Sequence, residues 1–133
     1  MKQIVVLGGG ISGYGSAILA KKKGFGVFLS DAGRIADRYK AKLDEWEVPY
    51  EEGGHTEERI LAATEVVKSP GIPDTAPMVR KIREAGIPVI SEMEFAGRYM
   101  GKAKCICITG SNGKTTTTSL IYKIMRDAGL NAA

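Results

Sequence analysis

The chain has 133 residues, enough for about one domain and part of a second. Hydrophobic residues make up 44% and charged residues 26%, a globular balance that excludes a disordered, collagen-like or disulfide-stapled chain. The net charge of +4 comes without a dense basic face, which speaks against nucleic acid as a partner, and no run approaches the ~18 apolar residues of a membrane span.

The N-terminal apolar run, Ile4 to Leu7, is too short for a signal-peptide core, so the expected address is the cytoplasm. That run reads as a strand and is followed by Gly8-Gly9-Gly10. A helix is expected from about Ser12 to Lys23, with Tyr14, Ala17 and Ile18 at helical spacing. It ends in lysines and Gly24, the cation and glycine signals of a helix C-terminus. Val27 to Ser30 is a second strand, ending at Asp31. A polar, solvated helix is expected over about 34–46, then a weak strand near Val48 to Tyr50 and a short helix over about 56–62. Val66 and Val67 mark a strand that ends in Ser69-Pro70-Gly71. Met78, Ile82 and Ala85 form an apolar stripe on a helix that stops at Gly86. Pro88 to Ile90 is a short strand, and a helix is expected over about 92–99. Strands separated by helices mean βαβ units, hence an α/β, Rossmann-like parallel sheet flanked by helices.

From Lys104 the pattern restarts. Cys105 to Ile108 reads as a strand, a glycine-containing loop follows, and a helix runs from about Lys114 to Ala128, ending at Gly129. The expected organisation is a nucleotide-binding domain over 1–93, a linker over 94–102, and the first strand–P-loop–helix unit of a truncated second domain over 103–133. A lone βα unit builds no sheet, and unpaired strands seek partners. Residues 103–133 are therefore expected to pack on the first domain, to self-associate between chains, or to be mobile. Cys105 and Cys107, two apart on one strand face, are expected as buried free thiols rather than a disulfide or a metal site.

Two phosphate-binding signals stand out. Gly8-Gly9-Gly10-Ile11-Ser12-Gly13 fits G-x-G-x-x-G between a strand and a helix. There Gly8 permits the turn, Gly10 lets a diphosphate approach and Gly13 lets the helix pack on the strand. The helix start favours an anion. Asp31, at the end of the second strand, sits where a nucleoside would lie. The second signal is Thr109-Gly110-Ser111-Asn112-Gly113-Lys114-Thr115-Thr116. Its backbone N–H groups suit a triphosphate, Lys114 the terminal oxygens and Thr115 a Mg²⁺ ion. Ile108 stands where an ordinary P-loop has glycine. Ser69-Pro70-Gly71 ends a third strand at the same sheet edge and is a candidate wall of the nucleotide site. Weaker candidates read as structure. Glu92 and Glu94 begin a helix, Lys21 to Lys23 form a solvated helix end, His55 is a loop residue, and Trp46 is a packing residue.

GGGISG, KSPGIP, SEMEFA and TGSNGKTTTT together resemble the Mur ligases of peptidoglycan synthesis, through essentially the whole chain. Within them the resemblance is to the branch that joins D-glutamate to UDP-N-acetylmuramoyl-L-alanine. It implies an enzyme of three domains, which hold the UDP substrate, ATP with Mg²⁺, and the incoming amino acid. By position, Gly10, Ile11, Ser12 and Gly13 would face the UDP-sugar diphosphate. Asp31 would contact the uracil end, and Ser69 and Gly71 would lie against the same nucleotide. Gly110, Ser111, Asn112, Gly113, Lys114, Thr115 and Thr116 would bind ATP, with Lys114 catalytic and Thr115 on the metal. Ala32 departs from the family, since a polar side chain there would suit a uracil carbonyl. The resemblance further implies a monomeric whole enzyme working through an acyl phosphate, and a fragment that binds the UDP substrate but is inactive alone. Two other functions remain open on the residues. A nicotinamide-dependent oxidoreductase would use the first glycine motif and Asp31 but not Lys114 or Thr115, and a non-catalytic nucleotide sensor would use the P-loop as a switch.

Overall fold

The computed structural model describes residues 1–133 as two compact units, Met1–Gly101 and Lys102–Ala133. In the first unit the elements are β1 (Gln3–Leu7), α1 (Ile11–Lys22), β2 (Gly26–Asp31), α2 (Asp37–Glu45) and β3 (Tyr50–Glu52). They continue as α3 (Glu57–Leu61), β4 (Glu65–Lys68), α4 (Pro77–Glu84), β5 (Val89–Ser91) and α5 (Glu92–Gly97). The five strands form one sheet in the order β3-β2-β1-β4-β5, and every pairing is parallel. The Rossmann-like α/β fold expected from the sequence is therefore present.

Strand composition follows from burial on both faces. Ile4, Val6, Val27, Leu29 and Val67 pack on one face against Ala17 and Ala20 of α1, Leu43 of α2 and Phe95 of α5. Val5, Leu7, Phe28 and Val66 pack on the other against Ile60 of α3 and Met78, Val79 and Ile82 of α4. Leu43 is the one buried residue of α2, which accounts for that helix's polarity. The helices α1 and α4 end where expected, with Gly24 and Gly86 in the left-handed region at φ +82° and +74°. Glu65, buried at the start of β4, is held by Lys2 at 3.1 Å and Arg98 at 2.8 Å, which ties the N-terminus and the end of α5 to the sheet.

Three sequence expectations need revision. First, β3 lies over 50–52 rather than 48–50. Val48 is buried as a loop residue in the core, and the ladder to β2 begins only at the pair Leu29–Tyr50. Second, α5 occupies the start of the segment expected as linker. Its Phe95 is fully buried, with Tyr99 edge-on at 5.3 Å between ring centroids, so the first unit runs on to Gly101. Third, Cys105 to Ile108 is not a strand. Backbone in strand conformation needs a ladder, and the second unit holds no other strand. Cys105 and Cys107 are accordingly exposed rather than buried. Their sulfurs lie 3.6 Å apart, and the hydrogen bond between them pushes the Cys105 thiol up from its ordinary value. The second unit's regular element is α6 (Lys114–Asp127), closed by Gly129 at φ +81°.

The lysines at the end of α1 are more than a solvated helix end. Lys21 Nζ donates to the Glu47 carbonyl at 3.2 Å. Lys22 Nζ lies 4.8 Å from the Trp46 ring centroid and Lys23 Nζ lies 5.1 Å from that of Tyr99. The exposed Lys22 and Lys23 thus each cover an aromatic ring with stem and charge.

Candidate functional site

The strand order reverses between β1 and β4, and the loops after these two strands face each other across that point. Open α/β sheets bind ligands beyond the carboxyl ends of their strands at such a crevice. Gly8 turns the chain with φ +101°, and its backbone N–H donates to the Ser30 carbonyl at 3.0 Å. A side chain on Gly8 would stand 2.8 Å from Ser69 Cβ, so the two turns touch only because Gly8 has none. A Cβ on Gly13 would stand 1.9 Å from the Gly8 carbonyl oxygen. The third glycine of the motif thus lets α1 start directly above β1. Over Gly10 the space is open, and Gly10, Ile11 and Ser12 are exposed, Ile11 at 70%. The helix start has no side-chain cap and no acid in its first turn. Its free N–H groups and the helix dipole are available to an anion.

Asp31 braces the glycine turn. Oδ2 accepts from the Gly9 N–H at 2.6 Å, and Oδ1 accepts from the Gly33 N–H at 2.7 Å. The carboxylate therefore braces the glycine turn against the loop after β2. Asp31→Ala leaves both backbone donors without this partner. We expect it to cost about 2 kcal/mol of stability in a denaturant titration, since hydrogen bonds to a charged acceptor are the stronger kind. Full stability in that variant would show that the brace is dispensable.

Ser69 and Gly71 sit in the turn after β4, with Ser69 N–H donating to the Leu7 carbonyl at 2.9 Å. Sequence reasoning missed the residue that shapes this turn. Lys68, 14% exposed at its side chain, folds back so that Nζ donates to the Ile72 carbonyl at 2.6 Å and the Ser69 carbonyl at 3.3 Å. A second missed group lies at the ends of β2 and β3. Ser30 is fully buried, and its Oγ lies 2.6 Å from Glu51 Oε1 and 2.7 Å from His55 Nδ1. The signal that could have found it is pairing register, because Ser30 and Glu51 are ladder partners. A third is Glu92, nine-tenths buried at the start of α5. Its Oε1 has no hydrogen-bond partner and lies 3.5 Å from where a Gly13 Cβ would be.

In the second unit, Gly113 caps α6 in the left-handed conformation, at φ 76°, without a side-chain hydrogen bond. The first turn of α6 holds no acid, so the start of this 14-residue helix also suits an anion. Lys114 Nζ donates to the Gly110 carbonyl at 2.5 Å, which folds the loop 110–114 on itself. Thr115 and Thr116 are exposed, as are Ser111 and Asn112. Thr118 Oγ1 is occupied by the Lys114 carbonyl at 2.7 Å. The donor set fits a polyphosphate with a magnesium ion on a threonine hydroxyl.

A five-stranded parallel sheet with an uncapped glycine turn at its switch point defines an α/β protein of the Rossmann-like class. Residues 2–91 match the family model for the Mur ligase MurD-like N-terminal domain, and residues 108–133 match that for the Mur ligase middle domain. The chain belongs to the Mur ligase family, through a MurD-like N-terminal domain. It is 65% identical over 131 residues to the UDP-N-acetylmuramoylalanine--D-glutamate ligase of Bacteroides fragilis, covering 98% of this chain and 29% of that one. Identity to the ligase of the same name from Porphyromonas gingivalis is 57% over 128 residues, 96% of this chain and 28% of the relative. The chain thus spans under a third of the length of the curated relatives it matches. Among solved structures, a murein peptide ligase from Psychrobacter arcticus superposes with a TM-score of 0.76 at 26% identity, covering 97% of this chain and 27% of that one. A precorrin-6A reductase (CobK) shares the fold alone, with a TM-score of 0.51 at 17% identity over 85% of this chain and 43% of that one. The oxidoreductase alternative gains nothing from that likeness, and the ligase relatives disfavour it.

Proposed function

We propose that the chain is the substrate-holding N-terminal part of an ATP-dependent cytoplasmic ligase that joins D-glutamate to UDP-N-acetylmuramoyl-L-alanine. The observation that carries this reading is the open space above Gly10 at the uncapped start of α1, in a glycine turn that Asp31 braces. A diphosphate laid there would meet backbone donors without a side chain in the way. The Bacteroides fragilis and Porphyromonas gingivalis relatives are named as ligases of UDP-N-acetylmuramoylalanine and D-glutamate, and their similarity to this chain supports the same substrates.

The reaction class needs an activated carboxylate. ATP with Mg²⁺ would supply a phosphoryl group to the alanyl carboxylate, and the D-glutamate amine would then displace phosphate from the acyl phosphate. The part of this chain is positioning and charge neutralisation. Gly110, Ser111, Asn112, Gly113 and Thr116 would hold the polyphosphate through backbone and hydroxyl groups. Lys114 would leave the Gly110 carbonyl to meet the terminal phosphate, and Thr115 would offer its hydroxyl to the metal.

The test is a calorimetric titration of the chain with UDP-N-acetylmuramoyl-L-alanine, beside NADH. Heat from the UDP compound and none from NADH is the expected result. Binding of NADH alone would overturn the reading. A glycine change separates binding from folding. Gly10→Ala meets no atom within 4 Å, at a backbone φ of −74° that alanine adopts readily. It should leave the melting temperature unchanged while weakening the UDP compound about tenfold, because the methyl group enters the ligand's space.

A further inference from the structure

The turn after β4 is poor in donors. Residues 69–73 read Ser-Pro-Gly-Ile-Pro, and Pro70 and Pro73 bring carbonyls without N–H groups. The Ser69 N–H is taken by the Leu7 carbonyl at 2.9 Å, and the Ile72 N–H by the Ser69 carbonyl at 3.1 Å. Carbonyls left over from such a turn need donors from elsewhere. Lys68 supplies them. Its Nζ donates to the Ile72 carbonyl at 2.6 Å and to the Ser69 carbonyl at 3.3 Å. These are the carbonyls of the two prolyl peptides, Ser69–Pro70 and Ile72–Pro73. The ammonium is held behind the turn with its side chain 14% exposed. Asp74, its acidic neighbour at 3.7 Å, is 68% exposed and is shared with Arg83 at 3.1 Å.

Two donors of the turn remain without a partner, the Gly71 N–H and the Ser69 hydroxyl. They lie together beside the glycine turn. Ser69 Oγ is 3.6 Å from where a Gly8 Cβ would be and 3.8 Å from where a Gly71 Cβ would be, so the hydroxyl stands between the two glycines. Gly71 is exposed and has no positive φ, and a Cβ there would touch nothing but that hydroxyl. Neither backbone conformation nor packing therefore requires a glycine at 71. What the missing side chain leaves is an open approach to its N–H. Without the ammonium, the Ser69 and Ile72 carbonyls would lose their outside donor. The donors within reach are those of the turn itself, and a serine hydroxyl or a free N–H readily turns inward to a local carbonyl.

We propose that Lys68 is a positioning residue for the nucleotide: by holding the two prolyl carbonyls it keeps the Ser69 hydroxyl and the Gly71 N–H free to donate to oxygens of the UDP part of the substrate. This rests on the UDP-substrate reading above. Lys68 acts through the turn and does not touch the ligand. The site then owes its readiness to a donor count. Two prolines stiffen the turn, one buried ammonium absorbs the acceptors they leave, and two donors stay available with little reorganisation on binding.

The experiment titrates the ¹⁵N-labelled chain with UDP, by calorimetry and by amide spectra. In the unchanged protein UDP is expected to bind and to shift the Gly71 amide signal. Lys68→Met keeps the stem and removes the donors. It should lower UDP affinity about tenfold and shrink the Gly71 response. Lys68→Arg keeps donors and charge and should retain most of the affinity. Arg83→Met removes the other cation on Asp74 without touching the turn, and should leave UDP affinity unchanged. Melting curves show how far each variant is folded, and affinities are read at a temperature where all are folded. A merely structural staple would lower the melting temperature of Lys68→Met and leave its affinity intact, which would overturn the inference. Equal losses in Lys68→Met and Arg83→Met would mark a general effect of charge and overturn it too, as would a Gly71 amide unmoved by bound UDP. Failure of the unchanged protein to bind UDP at all would instead overturn the UDP-substrate reading itself.

Discussion

Gly13→Ala is expected to unfold much of the first unit at temperatures where the unchanged chain is native. A methyl group placed 1.9 Å from the Gly8 carbonyl oxygen cannot be absorbed by a side-chain rotation, since the opposing atom is backbone. Either α1 lifts from β1 or the glycine turn opens. Helix α1 buries Ala17 and Ala20 in the core on one side of the sheet, so lifting it opens that core. Overpacking of this kind costs roughly 3 kcal/mol or more, a large share of a small domain's stability. Chemical denaturation followed by circular dichroism measures it. Gly13→Ala with an unshifted midpoint would mean that the turn has slack its geometry does not display. The contrast with Gly10→Ala is the sharper result. The two changes lie three residues apart in one motif, yet one should act on folding and the other on ligand affinity.

Phe95→Ala is expected to be comparably severe. Phe95 is fully buried beneath α1 and against Tyr99, within the core of Ile4, Val6 and Val67. Truncating a buried phenylalanine costs about 3–5 kcal/mol, as lost transfer energy and as the cavity left behind. The loss should appear in the same cooperative transition as that of Gly13→Ala, because both residues belong to one core. If Phe95→Ala left the midpoint within experimental error, α5 would behave as a tether rather than as part of the sheet domain. Glu65→Ala, which removes the carboxylate under Lys2 and Arg98, should cost less, because both cations are partly exposed and water takes its place.

These residues show what a single sequence discloses. The strands at Ile4–Leu7, Val27–Ser30 and Val66–Val67 were legible because burial on both faces leaves unbroken apolar runs. The role of Gly13 was legible because its motif has a steric cause. The true place of β3 was not, since Tyr50, Glu51 and Glu52 are an edge strand whose position is set by pairing to Leu29, Ser30 and Asp31. A helix was legible over about 92–99, but its attachment to the sheet was not, because that rests on one fully buried phenylalanine, Phe95, in a six-residue helix. For Asp31 the position was legible but not its acceptor use, which depends on where two backbone N–H groups arrive. Similarly, Ser30, Glu51 and His55 come from three places in the chain, and only the sheet register brings them together.

The pairing of Lys22 with Trp46 has a practical consequence. Trp46 is the chain's one tryptophan, and it packs on the first unit's core at the end of α2. Its emission is therefore an optical gauge placed within that unit, since residues 102–133 contain no indole. An ammonium 4.8 Å from the ring also makes the emission colour sensitive to the contact between α1 and α2. Because α1 begins at the glycine turn, a spectral shift on adding nucleotide would report movement at the far end of the helix that receives the diphosphate, with no label attached.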